Sequence, residues 1–181
     1  ATVLADINEL SFCNHILEYI IEENTDIDAS HLKYKLDEYK KDLHARFISP
    51  QLQPPDVMGK AKRKEKQGIE LAKYCLGDHD FMWGNATGIY WANNKNTFDE
   101  AVKLSGDTPN WNGNPSDVVV VYNEHVTVKN CQNKRWFGIS LKASFSSGDI
   151  GQYNSSVAKF FAGVIERRNN EDLDTIVKKK N

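Results

Sequence analysis

The chain has 181 residues, with 23 Lys and Arg against 25 Asp and Glu and a formal net charge of −2. That length suits one domain able to bury a proper core, and the balanced charge lacks the global basic signature of a strong non-specific nucleic-acid binder, so any such binding must be local. Three widely spaced cysteines, Cys13, Cys75 and Cys131, argue against a disulfide framework or a zinc site and fit buried, reduced thiols in a cytoplasmic, intracellular setting. No apolar run approaches the length of a membrane span, and the N-terminus lacks a basic-then-apolar leader, so no membrane association is expected.

In chain order, the apolar positions Leu4, Ile7, Leu10, Ile16, Leu17, Ile20 and Ile21 follow helical spacing and predict an amphipathic helix over 4–21, with Glu9 beside its apolar face. A second helix over 29–47 carries Leu32, Leu36, Tyr39, Leu43 and Phe47, and the two read as a helical hairpin. Pro50, Pro54 and Pro55 predict an extended linker over 50–59, so residues 1–59 divide from a core over 60–181, the whole still forming one compact domain.

Lys60, Lys62, Arg63, Lys64 and Lys66 make the densest basic patch, at the start of a helix predicted to run to Leu76. Positive charge opposes the dipole at a helix N-terminus, so such a patch calls for another partner; phosphate is one, and a solvated helix face is the plain alternative. Residues 77–113 are rich in Gly, Asn and aromatics. Within them Asp78-His79-Asp80 reads as a turn, 86–91 as a core strand and 98–104 as a helix capped by Thr97 with Glu100. Trp83, Tyr90, Trp91 and Trp111 are either core residues or platforms for unpaired bases.

Two strand-like runs follow, 117–122 and 135–142, joined by a polar segment with a short β-branched run at 126–128. Alternation puts Ser140 and Lys142 on one face and Ile139 and Leu141 on the other. Past Lys142 comes a run of small residues over 143–151 and a helix predicted over 152–168 from the spacing of Val157, Phe160, Phe161, Val164 and Ile165. Together these elements predict an α/β (α+β) domain, a small mixed sheet flanked by helices with an N-terminal helical hairpin.

Pro115-Ser116-Asp117, followed after a hairpin-like gap by Ser140-Leu141-Lys142, resembles the PD-(D/E)xK nuclease superfamily, with SxK in place of ExK. The resemblance implies a restriction-endonuclease-like core and a Mg²⁺- or Mn²⁺-dependent endonuclease or exonuclease, with DNA more expected as its substrate than RNA. Restriction-like, viral, repair and recombination nucleases use this core, so a viral or phage protein acting in a host cell is compatible with it. Asp117 would be a metal ligand, the backbone carbonyl of Leu141 another, and Lys142 the catalytic lysine, with Ser140 in the place of the second carboxylate. Serine is a poor Mg²⁺ ligand, so the missing carboxylate must come from elsewhere. Glu70, on the helix preceding the core strands, is the preferred source, Glu9 the second and Glu124 the third. Gln152 and Lys159 would face nucleic acid from the last helix. The chain could act as a homodimer or as part of a larger protein. The rival reading is an inactive nuclease-fold module that binds nucleic acid or serves in an assembly.

Overall fold

A computed structural model describes residues 3–24, 29–114, 116–127 and 134–141. The predicted helix over 152–168, the run 143–151, and Pro115, Cys131, Lys142, Gln152 and Lys159 lie outside the described residues.

Helix α1 (Val3–Glu23) is the element on which the others pack. Ile7, Leu10, Phe12, Cys13, Ile16, Leu17 and Ile20 are fully buried, and so, nearly, are the polar Asn8, Ser11 and Asn14. The expected single apolar face is therefore a helix covered on most sides, by α2 (Ala29–Phe47), by α3 (Pro55–Leu76) and by the first strand. Two of its small polar residues are bonded: Ser11 Oγ donates within the helix to Ile7 O at 2.6 Å, and Asn8 Nδ2 donates across to Lys64 O on α3 at 3.1 Å. Close approach to α3 depends on Gly68, where a Cβ would lie 2.3 Å from the Asn8 carbonyl oxygen.

The linker expected over 50–59 is instead a 3₁₀ turn, Pro50–Leu52, followed by the start of α3. Pro54-Pro55 opens α3, because a proline at the first helical position gives up an N–H that would have no partner there and supplies the right φ. The basic run is thus in the body of α3, not at its N-terminus. A similar correction applies to α4 (Lys95–Leu104): its cap is Asn94, whose Oδ1 accepts from Thr97 N at 3.0 Å, three residues before the expected cap.

Three strands, β1 (Ala86–Trp91), β2 (Val118–Val126) and β3 (Lys134–Ile139), form an antiparallel sheet in that order. Helices around a small sheet make an α+β fold, as expected; the described strands are antiparallel throughout where a mixed sheet was expected. The second run at 126–128 is in part the end of β2, which reaches Val126. Val118, Val120 and Tyr122 join Ile89, Trp91, Phe137 and Ile139 in the core with α1, while Val119, Val121 and Tyr90 pack with Phe98, Ala101 and Val102 of α4. Helices on both faces explain four consecutive buried valines in an antiparallel strand.

The free edge of β1 is closed by side chains. Tyr39 Oη accepts from Trp91 N and donates to Ile89 O, both at 3.0 Å, and Asn24 Nδ2 donates to Ala86 O at 2.8 Å. Those bonds satisfy groups that would otherwise invite another strand. Among the described residues no helix is long and apolar enough to cross a membrane.

Candidate functional site

Asp117 immediately precedes β2, the central strand, and its backbone is tied on both sides: its N–H donates to Ile139 O at 2.9 Å and its carbonyl accepts from Ala92 N at 2.8 Å. The approach to it is an Asx turn in which Asn114 Oδ1 accepts from Ser116 N at 3.0 Å. Ser116 then packs over Gly138 so closely that a Cβ there would come within 1.8 Å of Ser116 Oγ. Glycine at 138 is thereby required for the Ser116-Asp117 segment to lie on β3.

The Asp117 side chain is oriented by the triplet identified in the sequence. Its Oδ2 accepts from Ser140 Oγ at 3.1 Å and from Leu141 N at 2.6 Å. Donors to a carboxylate are the stronger class of hydrogen bond, and Ser140 is almost wholly buried. Ser140 therefore acts as a donor to Asp117, a role the sequence did not disclose. Its proximity to Asp117 could be read from the expected hairpin, but its donor role needed the pairing register.

Glu9 reaches the same end of the sheet from α1. Its Oε2 accepts from Trp91 Nε1 at 2.7 Å, and Trp91 is the cross-strand partner of Val118, the residue after Asp117. One turn along α1 from Glu9, the fully buried Cys13 thiol is held well above its usual pKa, first by burial and then by the negative charges of Glu9 and Asp117. Both carboxylates thus act on one thiol. Arg46 of α2 stands 5.3 Å from the centre of the Trp91 ring, with Nε 3.5 Å from Asp6 Oδ2 and Nη1 3.7 Å from Asp42 Oδ1.

Glu70 lies elsewhere in character. Its side chain is 62% exposed on α3 and stands 3.8 Å from Lys66 Nζ, an ordinary i, i+4 surface pair. Glu124 is exposed and accepts from Asn85 Nδ2 at 2.5 Å. Of the three carboxylates weighed as partners for Asp117, Glu9 is the one whose charge reaches the Cys13 thiol together with that of Asp117.

The basic patch divides. Lys62, Arg63 and Lys66 are exposed and Lys60 half-buried, whereas Lys64 is only 4% exposed and burial lowers its pKa below the usual lysine value. Lys64 is part of the packing of α3. Trp83, Tyr90 and Trp91 are buried, and Trp111 packs against Phe98 at 5.6 Å between ring centres, so these rings belong to the interior and its margin instead of forming a base-stacking platform.

Asp117, bound to the Leu141 peptide N–H, and Glu9, whose charge acts with that of Asp117 on the Cys13 thiol, offer hard oxygen donors of the kind that suit Mg²⁺ or Mn²⁺. Among the described residues no three His, Cys, Asp or Glu side chains converge, so the remainder of an octahedral shell would fall to backbone carbonyl, water and substrate oxygen. Compared with protein-family models, curated proteins and solved structures, the chain matches none.

Proposed function

We propose that the chain is a metal-dependent nuclease of the PD-(D/E)xK kind, with Asp117 and Glu9 holding Mg²⁺ or Mn²⁺ and DNA or RNA as substrate. The observation that carries the reading is that Asp117, before β2, is held by Ser140 and Leu141 while Glu9 of α1 is held by Trp91, the cross-strand partner of the next residue, Val118. A helix, α1, packed on an antiparallel sheet in which β2 and β3 carry Asp117 and Ser140 at neighbouring ends is compatible with the reading, although α4 lies between β1 and β2.

In this reading each carboxylate is preset before substrate arrives. Asp117 is fixed by Ser140 Oγ and Leu141 N, Glu9 by the Trp91 indole, so little reorganisation is needed to bind a cation. The Leu141 carbonyl is assigned as a further ligand. The ion, when bound, would lower the pKa of a water and neutralise charge on the phosphoryl oxygens. Lys142 is assigned, from its place in the triplet, the role of fixed positive charge beside the attacking water. Lys62, Arg63 and Lys66 are exposed where they can meet the phosphate backbone, with Lys60, Gln152 and Lys159 as further candidate contacts. The buried free thiols Cys13 and Cys75 fit a reducing compartment.

A second reading, an inactive nuclease-fold module that binds nucleic acid or serves as an assembly subunit, is favoured by one observation: position 140 offers a hydroxyl, engaged with Asp117, where the superfamily has a carboxylate. End-labelled single- and double-stranded DNA and RNA incubated with Mg²⁺ or Mn²⁺ separate the two. Cleavage is expected for the wild type and for Glu70→Ala, and loss of it for Asp117→Ala, Glu9→Gln and Lys142→Ala. Binding without cleavage of any substrate by the wild type would replace the nuclease with the inactive module.

A further inference from the structure

We infer that Trp91 is a positioning residue for Glu9, held in place for that task by Arg46 and Tyr39; the inference rests on the metal-site reading above. Glu9 is a flexible side chain on a helix, and a carboxylate that must share a cation with Asp117 loses rotamer freedom on doing so. The Trp91 indole carries one N–H and no acceptor, and it donates to Glu9 Oε2 at 2.7 Å from a ring that is nearly fully buried. Two features fix the backbone that carries the ring, and one contact covers the ring itself. The Trp91 backbone N–H is bound to Tyr39 Oη at 3.0 Å, the residue sits in register opposite Val118, and the Arg46 guanidinium covers the ring at 5.3 Å.

Arg46 is itself anchored, by Asp6 at 3.5 Å and by Asp42, whose carbonyl accepts from Nη1 at 3.3 Å. A cation over an indole face is attracted by the ring and draws density from it, which strengthens the N–H as a donor to Glu9. The chain of contacts therefore runs from α2 through β1 to the α1 carboxylate. Partners that orient a metal ligand through its second atom change metal affinity by about 10- to 100-fold when removed.

The test uses the full chain with Mn²⁺ as probe. Trp91→Phe keeps an aromatic ring in the core, though a smaller one, and removes the donor; the Mn²⁺ concentration for half-maximal cleavage is expected to rise about 10- to 100-fold, while the rate at saturating Mn²⁺ stays near that of the wild type. Arg46→Gln should move the same quantity in the same direction by a smaller factor. A readout independent of cleavage is the indole N–H spectrum by NMR. The chain has four tryptophans, and the signal absent from Trp91→Phe is Trp91. That signal should shift in Glu9→Gln and be broadened selectively by sub-stoichiometric Mn²⁺ in the wild type. An indole signal unmoved by Glu9→Gln, or an unchanged Mn²⁺ requirement in Trp91→Phe, overturns the positioning role. Broadening at Trp91 without cleavage of any substrate upholds it and removes only the nuclease; absence of both overturns the metal site and this inference together. Should Trp91→Phe not fold, the Glu9→Gln shift, the broadening and the Arg46→Gln response decide the matter.

Discussion

Gly68→Ala tests whether the α1–α3 contact governs both stability and the position of Glu9. The added Cβ would stand 2.3 Å from Asn8 O, 3.2 Å from Asn8 C and 3.1 Å from Ser11 Cβ. The first two are backbone atoms, so no rotamer change relieves them. Restoring an ordinary contact of 3.4 Å needs α1 and α3 to part by about 1 Å. Overpacking of this kind costs about 1–3 kcal/mol, against a helix-propensity gain of about 1 kcal/mol for replacing glycine by alanine. The overpacking term wins at most of that range, with a net loss of up to about 2 kcal/mol and a fall in Tm of up to about 8 °C. Gly59→Ala is the control. It lies on the same helix, its Cβ would meet only the Arg63 guanidinium at 3.9 Å, and propensity alone should raise stability by about 0.5–1 kcal/mol. Because Glu9 adjoins Asn8, a shift of about 1 Å should also lower cleavage by about 100-fold, with no change at Asp117 itself. Urea unfolding and cleavage rates of the two variants, side by side, are the assay. A Gly68→Ala protein as stable as Gly59→Ala would show that α1 and α3 do not meet as described.

Tyr39→Phe leaves Trp91 N–H and Ile89 C=O without the phenol on the β1 edge; with desolvation penalties of about 1–3 kcal/mol per orphaned group, urea denaturation should report a loss of at least 1–2 kcal/mol. Gly138→Ala drives a Cβ into Ser116 Oγ and should destabilise by about 1–3 kcal/mol, with Ser116→Gly in the same chain restoring much of it; an unaltered midpoint in the single variant would refute that packing. Stability should fall in alkali. Burial first, and then the Asp78 charge, push the Cys75 thiol from its usual 9.0 up to about 12, and burial raises Cys13 and Tyr39 as well. Each is neutral when protonated, so the unfolded chain releases the proton first. The contribution of Cys75 is whole below about pH 9 and is lost between there and about 12, at up to about 1.4 kcal/mol per pH unit. Cys75→Ala should flatten the pH dependence of Tm over this window, and a slope identical to that of the wild type would exclude the thiol as its source.

Local pattern was enough to identify α1, α2 and the three strands, because helical and strand periods are written in neighbouring residues. The contact of Asp117 with Ser140 and Leu141 joins two short runs that the sequence already set apart. Signals with two local meanings were misread. Pro54-Pro55 can be read as a stop or as a helix start, and it opens α3, while Asn94 competes with Thr97 for the cap three residues later. The source of the second carboxylate was beyond any local pattern. Glu9 and Glu70 both sit on helices before the core strands, and spacing favours neither. What separates them is that α1 is enclosed by α2, α3 and β1, so that Glu9 meets the Trp91 indole 82 positions away, while Glu70 is left at the surface with Lys66. Residue order determined which elements form and where the acid and the triplet stand along them. Only tertiary packing set Glu9 against the Trp91 indole and left Glu70 at the surface, since those outcomes depend on contacts between distant helices and strands, the close α1–α3 approach at Gly68 among them.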